Sequence, residues 1–313
     1  MELVTEDECQ LYDELNLDEE HTIWLIEQSG KVFICPVIIS ETPRRVIAGD
    51  LFANRLHIGT NGHFDNEIQL ASSQEIALSA EQTNESFILD DSHIIKWQLM
   101  LSDTRSREKE LLLQNNGFRF TPKSYGYLTY QEKLVVSVYE YINGASDGWT
   151  WCIQKAKDND LGAWIQTLAE ITSTMHRAFE DSGFAHGDLH VGQFLNSGDD
   201  FYVIDFEGSP IPTSHESAIA DVASLMCSFI HVSAVMERKY PVEHDNYEWL
   251  EKVLQTFQYE YEEHSMQLID NDELWQLMLE HEEIEAEYAE KYLPHWKYVA
   301  EFGKEYIQGK ING

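Results

Sequence analysis

The hydrophobic pattern changes its period near Gly144, and this change constrains the fold more than any other feature. Before this glycine, short runs rich in β-branched residues are separated by turn residues, as in strands joined by hairpins. After it, apolar residues recur at steps of three and four, which is the spacing of one helix face. The sequence therefore predicts an α+β chain, with a small β-rich part followed by a mostly α-helical part.

Two pairs of apolar runs in the first part predict β-hairpins. The turn of the first pair contains Gly30, which supplies the positive φ that a tight turn needs. The pairs are Thr22–Gln28 with Val32–Ser40, and Phe87–Leu89 with His93–Leu101. A helix over Arg105–Asn116 and a strand over Leu134–Tyr141 are expected next.

The second part predicts one short strand among several long helices. The strand is expected at 201–206, and the helices at 161–183, 216–236, 246–264, 271–290 and 295–308. Three regions are expected from this organisation. They are a β-rich N-terminal cap over 1–80, a small β-rich lobe over 81–142, and a helical lobe over 143–313 that carries the catalytic loop and the acceptor site.

The charge of the chain is strongly negative, because 56 acidic residues face 21 basic ones and the formal net charge is −35. Polyanionic partners attract basic surfaces, so the balance argues against nucleic acid and anionic membrane. Two segments, 1–20 and 243–290, hold most of the excess acid. Each is expected to be a solvated face, and the second could instead be the wall of an acceptor pocket.

No segment predicts secretion or membrane insertion. The N-terminus is acidic and lacks an apolar run, and no stretch of about 18 apolar residues occurs. The four cysteines are far apart and indicate no disulfide framework. We expect a cytoplasmic protein without a membrane partner.

Residues 184–208 carry the chemistry. They read HGDLHVGQ, then a turn, a short strand and IDFEG, so that Asp188 and Asp205 lie seventeen positions apart across one hairpin. A hairpin of this length brings its ends together, and two converging carboxylates are what phosphoryl transfer requires. One orients the acceptor hydroxyl and the other holds Mg²⁺, to which the amide oxygen of Gln193 could also bind.

With these motifs the chain resembles the protein-kinase-like small-molecule kinases of the aminoglycoside phosphotransferase superfamily. Within it, the maltokinases and the related bacterial glucosamine kinases are the most similar. Besides HGDLHVGQ and IDFEG, the resemblance rests on EQTNES at 81–86, DGWTW at 147–151 and DVASLMCSF at 221–229. It implies a bilobal protein-kinase-like fold, with ATP and Mg²⁺ as cofactors and a small sugar or aminosugar as acceptor.

The resemblance also implies a nucleotide site. Lys96 would hold the α- and β-phosphates, with Glu108 as its partner and Glu110 as the alternative. Glu140, Tyr141 and Ile142 would form the hinge that meets adenine. The loop over the phosphates would comprise Gln82, Thr83, Asn84, Glu85 and Ser86.

By the same resemblance, Asp188 would be the catalytic base. Gln193 and Asp205 would bind the metal, with Glu207 as a further ligand. His186 is expected to hold the catalytic loop by hydrogen bonds. The candidates for contact with the acceptor are His190, Tyr292 and Trp296, which are respectively a loop histidine and two aromatic residues one helical turn apart.

Several alternatives remain open from the sequence. The leading one is a maltokinase-like enzyme that makes maltose 1-phosphate, with a functional link to trehalose and glycogen metabolism. However, Cys227 replaces an expected arginine, and the chain is shorter than typical maltokinases in the sugar-binding part. A glucosamine, aminosugar or aminoglycoside kinase is the alternative within the enzyme class. A catalytically silent nucleotide-binding regulator is the alternative outside it.

Overall fold

The computed structural model describes residues 9–56, 63–64, 70–78, 84–208, 217–240 and 242–312. The chain forms two compact units, and each is described here by itself. The first comprises 1–104 and 122–143, and the second comprises 105–121 and 144–313. The three functional regions expected from the sequence stay a prediction.

The first unit is built on one antiparallel sheet. Its strands are β1 (Gln10–Asn16), β2 (His21–Gln28), β3 (Lys31–Ile38), β4 (Arg44–Arg45), β5 (His63–Phe64), β6 (Glu75–Ala77), β7 (Asn84–Leu89), β8 (His93–Ser102), β9 (Ser124–Tyr130) and β10 (Lys133–Glu140). The main order is β1-β2-β3-β8-β10-β9-β5, with β4 paired to β3 and β6 joined through β7 to β8.

Tight turns with positive φ connect the predicted hairpins. Ser29 and Gly30 have φ values of 52° and 75°, and Asp90 and Asp91 have values of 47° and 52°. Two successive residues with positive φ match the right-handed twist of the strands that they join. Both predicted hairpins are confirmed, with strands that begin or end one to three residues from the predicted bounds.

The second unit contains the helices and a small sheet. Its elements are α1 (Arg105–Asn115), β11 (Ser146–Asp147), α2 (Gly148–Lys157), α3 (Trp164–Ala178), β12 (Phe194–Ser197), β13 (Asp200–Val203), α4 (Ala218–Lys239), α5 (Asn246–Ser265), α6 (Asn271–Tyr292) and α7 (Lys297–Asn312). The strands pair in the order β11-β12-β13. This arrangement confirms the predicted α+β class.

Helix α4 forms the centre of the second unit, and every residue from Asp221 to Met236 is buried. Helix α4 is long and apolar enough to cross a membrane. However, 89% of its most apolar 18-residue stretch is buried inside the protein. The buried core helices of other proteins can be equally long and apolar, so α4 is only weak evidence for a membrane-spanning segment. The predicted cytoplasmic location stays a prediction.

Candidate active site

The loop that carries Asp188 and the end of strand β13 are joined by hydrogen bonds. The backbone N–H of Ile204 donates to the carbonyl of Gln193 at 2.9 Å. The Nε2 atom of His186 donates to the carbonyl of Ile204 at 3.0 Å. Ile204 directly precedes Asp205, so both ends of the predicted catalytic loop fix the chain that presents the second carboxylate.

Asp205 adopts a backbone conformation that few non-glycine residues take. Its φ is 65°, in the left-handed region, where an L-residue is strained by about 1–2 kcal/mol. Such strain persists only where the surroundings determine the conformation, and it is concentrated at functional sites. The bonds to Ile204 supply that constraint, and the conformation sets the direction of the Asp205 side chain.

Asp221 anchors the catalytic loop from the first turn of α4. Its carboxylate accepts the backbone N–H groups of His186 at 2.7 Å and Gly187 at 2.8 Å, and the Nε2 atom of His176 at 3.1 Å. Burial alone would raise the pKa of Asp221, but these bonds and the nearby histidines lower it overall. A buried, ionised carboxylate therefore holds the loop that carries Asp188.

Two further side chains fix the same loop. Lys109 of α1 is almost fully buried and donates from Nζ to the carbonyl of His186 at 2.9 Å. Ser228 of α4 accepts the backbone N–H of Val191 at 3.0 Å. His186 is itself fully buried, which agrees with the structural role expected for it. The sequence assigned no role to Lys109, Asp221 or Ser228.

Asp188 is half-buried and lies among other carboxylates. Burial, and after it the negative charges of Glu285, Asp205 and Asp221, together raise the pKa of Asp188 to about 7. A hydrogen bond from the side chain of Gln193 opposes the shift. A general base works best when its pKa lies near the working pH, so this environment suits the predicted base.

The predicted metal ligands offer the oxygen atoms that Mg²⁺ prefers, and their binding of the ion stays a prediction. Because Gln193 uses its amide N–H to bind Asp188, its carbonyl oxygen is left for a metal. Among the described residues, no cluster of three or more His, Cys, Asp or Glu side chains has the geometry of a metal site. Mg²⁺ usually needs only one or two carboxylates besides water and substrate phosphates, which Asp205 and Glu207 could supply.

Glu285 is the one member of the acidic 243–290 segment that is shown to act on Asp188 electrostatically. It lies on α6, where its position continues the buried stripe of Met278, Glu282 and Ala289. Glu285 is half-buried, whereas its neighbours Glu283 and Glu287 are exposed. One carboxylate of this segment thus acts electrostatically on the catalytic loop, and periodicity alone did not single it out.

The acceptor candidates from the sequence occupy different surroundings. Trp296 packs on Trp149 of α2, with ring centroids 5.4 Å apart. Tyr292 is 56% exposed at the end of α6 and packs on Tyr288. His190 accepts the N–H of Gly192 at 3.1 Å, and burial lowers its pKa to about 4, so the ring is neutral.

The DGWTW motif attaches α2 to the catalytic loop. The side chain of Asp147 caps the helix by accepting the N–H of Thr150 at 2.8 Å. A Cβ atom at Gly148 would lie 1.9 Å from the carbonyl oxygen of Val191, so only glycine permits this approach. Trp149 and its contact with Trp296 are placed by this close packing.

The predicted phosphate-binding residues lie in the first unit or outside the described part of the chain. Gln82 and Thr83 lie outside the described residues. Asn84 and Ser86 belong to strand β7, not to a loop, because they pair with Gln98 and Lys96 of β8. Cross-strand partners lie on one face of a sheet, so Ser86 is a neighbour of Lys96.

The predicted hinge lies at the end of strand β10. The N–H of Glu140 donates to the carbonyl of Lys123 at 2.8 Å, and that of Tyr141 donates to Ser92 at 2.9 Å. Ile142 follows the strand, and the first unit ends one residue later at Asn143. The contacts of Glu140 and Ile142 with adenine stay a prediction.

Glu108 and Glu110 of α1 are the two predicted partners of Lys96, and they differ in their surroundings within the helix. Glu110 forms an ion pair with Arg107, one turn earlier, and both side chains are at most 10% exposed. Glu108 lies in the first turn of the helix. Its pairing with Lys96, which belongs to the other unit, stays a prediction.

Sequence comparisons identify two curated relatives, and no family model matches the chain. A glucosamine kinase from Mycolicibacterium smegmatis is 27% identical over 260 residues, which cover 56% of this chain and 65% of that enzyme. A glucosamine kinase from Streptacidiphilus jiangxiensis is 24% identical over 313 residues, which cover 72% and 71% of the two chains. The chain thus spans just under two thirds of the length of the first relative.

Solved structures of glucosamine kinase share the fold. One in complex with glucosamine, ADP and inorganic phosphate has a TM-score of 0.77 and 21% identity, over 96% of this chain and 93% of that chain. Another, crystal form B, has a TM-score of 0.79 and 21% identity, over 96% and 94%.

The fold and the loop geometry define a class: the chain has the protein-kinase-like fold of the phosphotransferases. Within that class, the two relatives are glucosamine kinases, one of the two kinds of enzyme that the sequence motifs resemble. These relatives agree with the glucosamine kinase alternative from the sequence analysis. No maltokinase is among the matches reported above.

Proposed function

We propose that the protein is an ATP- and Mg²⁺-dependent kinase that transfers a phosphoryl group to a hydroxyl of an aminosugar of the glucosamine type. The observation that carries the proposal is the surroundings of Asp188. A half-buried carboxylate lies on a loop fixed by Asp221 and Lys109, with Gln193, Asp205 and Glu285 acting on it. Kinases of this class need such a rigid base beside metal-binding oxygens.

In the proposed reaction, the acceptor hydroxyl donates its proton to Asp188 as its oxygen forms a bond to the γ-phosphorus. The bond between that phosphorus and the β-phosphate oxygen breaks, and ADP leaves. Asp205 and Gln193 would hold Mg²⁺, which supplies positive charge to the phosphates, and Lys96 would bind the α- and β-phosphates. The rigid loop keeps Asp188 oriented, so that little reorganisation accompanies the transfer.

An aminosugar suits this site better than a neutral sugar. Asp205 and Glu285 act electrostatically on Asp188, so several carboxylates would lie near an acceptor hydroxyl that reaches Asp188. An ammonium group would form charge-assisted hydrogen bonds with such carboxylates, whereas maltose offers only hydroxyls. The relatives are named glucosamine kinases, which supports the same acceptor class. The predicted link to trehalose and glycogen metabolism stays a prediction.

ADP release from the purified protein tests the proposal. With ATP and Mg²⁺, we expect glucosamine to stimulate ADP release, and glucose and N-acetylglucosamine to stimulate it far less. The three sugars differ only at C2, so the comparison isolates the ammonium group. Maltose and an aminoglycoside complete the set. Stimulation by maltose alone would restore the maltokinase prediction, and stimulation by none of them would favour the silent regulator.

Replacing Glu285 by glutamine tests whether its carboxylate binds the ammonium group of the acceptor, as we propose. The change removes one negative charge but keeps the shape, so we expect KM for glucosamine to rise about tenfold to a hundredfold, the equivalent of one charge-assisted hydrogen bond. KM for ATP should change little. Glu283→Gln is the matched control, because Glu283 is exposed on the same helix. Equal effects of the two substitutions would contradict the assignment.

A further inference from the structure

An ion pair is buried between α4 and α6. The Nε2 atom of His231 on α4 lies 2.8 Å from Oε1 of Glu282 on α6. Glu282 is completely buried, and His231 is 8% exposed. Removing such a pair from water is costly, so its presence calls for a reason beyond stability.

A third helix makes room for the buried carboxylate. Gly303 of α7 faces Glu282, and a Cβ atom there would lie 2.4 Å from the carboxyl carbon and 2.6 Å from each oxygen of Glu282. Any other residue at this position would collide with the carboxylate. Three helices therefore contribute to one polar site within an otherwise apolar core.

The ion pair does not satisfy every polar atom of this site. The Oε2 atom of Glu282 has no hydrogen-bond partner among the described residues. Glu285 follows Glu282 by three positions, which places both carboxylates on one face of α6. His231 thus lies beside two carboxylates, one of which acts in turn on Asp188.

We propose that His231 is a positioning residue for the acceptor site: as an imidazolium ion it offsets the charge of Glu282, and it thereby keeps Glu285, one turn further along α6, ionised for the ammonium group of the acceptor. The inference rests on the proposed function, because it needs Glu285 to bind a cationic acceptor. His231 itself touches neither acceptor nor nucleotide in this proposal.

The electrostatics of the three groups agree with this role. Burial alone would lower the pKa of His231, but Glu282 and then Glu285 raise it overall. Burial raises the pKa of Glu285 and Glu282 adds to the shift, whereas His231 lowers it. Loss of the imidazolium would therefore leave Glu285 more easily protonated.

The other titratable groups around His231 are neutral near pH 7. Burial lowers the pKa of His281 on α6 to about 3, and that of His190 on the catalytic loop to about 4. Burial and the charge of Glu282 raise the pKa of the Cys227 thiol on α4. Of these groups, His231 is the one that can carry a positive charge beside the carboxylate of Glu282.

The variant His231→Gln tests the proposal through its pH profile. Glutamine keeps a hydrogen-bond donor for Glu282 but carries no charge. We expect KM for glucosamine to rise about tenfold at neutral pH, and the pH at which binding weakens on acidification to move upward by about one unit. KM for ATP should stay unchanged. A folded variant whose glucosamine KM and pH profile match the original protein would overturn the proposal.

His21→Gln is the matched control. His21 of the first unit is also buried and lies 2.7 Å from a carboxylate oxygen of Asp18. We expect it to lose stability without moving the pH profile for glucosamine. An equal upward shift in this control would contradict a specific role of His231.

A second measurement keeps the proposal testable if His231→Gln does not fold. The imidazole ¹⁵N shifts of His231 in the unmodified protein, assigned from the backbone, report its protonation between about pH 5.5 and pH 8.5. We expect an imidazolium at neutral pH, and a neutral ring at pH 6 would overturn the proposal. This readout does not depend on turnover, so a failure of the proposed function, seen as absent ADP release, is distinguished from a failure of the inference.

Discussion

The variant Asp188→Asn is expected to lose phosphoryl transfer while it still binds ATP. An asparagine keeps the size of the side chain but cannot accept the proton of the acceptor hydroxyl. Loss of a general base slows an enzyme by about 10²- to 10⁴-fold, and the same substitution also removes a charge from the acceptor site. Stimulated ADP release measures the loss of turnover, and calorimetric titration with ATP and Mg²⁺ measures nucleotide binding.

The control for this prediction is Asp199→Asn. Asp199 lies in the exposed turn between β12 and β13. The same chemical change is therefore made close in sequence to Asp188 but outside the loop that carries it. We expect both turnover and ATP binding to be unaffected by it. Undiminished turnover in Asp188→Asn would show that another group accepts the proton and that the catalytic assignment is wrong.

The variant Asp221→Leu is expected to destabilise the second unit strongly and to inactivate it. The substitution leaves two buried N–H groups of the catalytic loop and His176 without their acceptor. Removal of one partner from a buried charged network costs about 3–5 kcal/mol of unfolding free energy. Urea unfolding followed by circular dichroism measures this loss, and ADP release measures the activity of the protein that remains folded.

Two control variants distinguish the anchoring role of Asp221 from the effect of removing any acidic residue from a helix N-terminus. Asp272→Leu replaces an exposed aspartate in the first turn of α6 and should cost at most about 1 kcal/mol, through the helix dipole alone. Asp221→Asn keeps the shape and part of the hydrogen bonding, so its cost should lie between those of the two leucine variants. A loss below about 1 kcal/mol in Asp221→Leu would contradict the anchoring role.

The hairpin between the two candidate carboxylates could be predicted because its geometry is local. Asp188 and Asp205 flank one hairpin, whose strands β12 and β13 pair as the sequence predicts. The same holds for the two predicted hairpins of the first unit, where turn residues and β-branched runs are adjacent. Each of these features depends on interactions between residues close in sequence.

Other elements were missed because their residues carry mixed signals. Strand β9 is rich in tyrosine but also contains Gly126, and it was not assigned. Helix α2 begins with Gly148, Trp149 and Thr150, which have low helix propensity, and its start depends on the cap from Asp147. The tertiary packing of Gly148 on Val191 favours this start, and a local pattern does not contain that information.

The groups that hold and surround Asp188 could not be found in the same way. Lys109 and His186 are 77 positions apart, and Asp221 and His186 are 35 apart. Lys109 lies between Glu108 and Glu110 in a helix that reads as charged on every side. Its burial, which distinguishes it from an ordinary surface lysine, is a property of the packed helices.

The sequence by itself determined the α+β class, the order of hairpins and helices, and the two carboxylates of the catalytic loop, because these follow from residue periodicity and short-range turns. The tertiary structure alone decided which of many acidic residues does which task. In the acidic segment, Glu282 is buried against His231, Glu285 raises the pKa of Asp188 through its charge, and Glu283 is exposed to solvent. Their identical side chains differ only in burial and neighbours, and both are created by the packing of α4, α6 and α7.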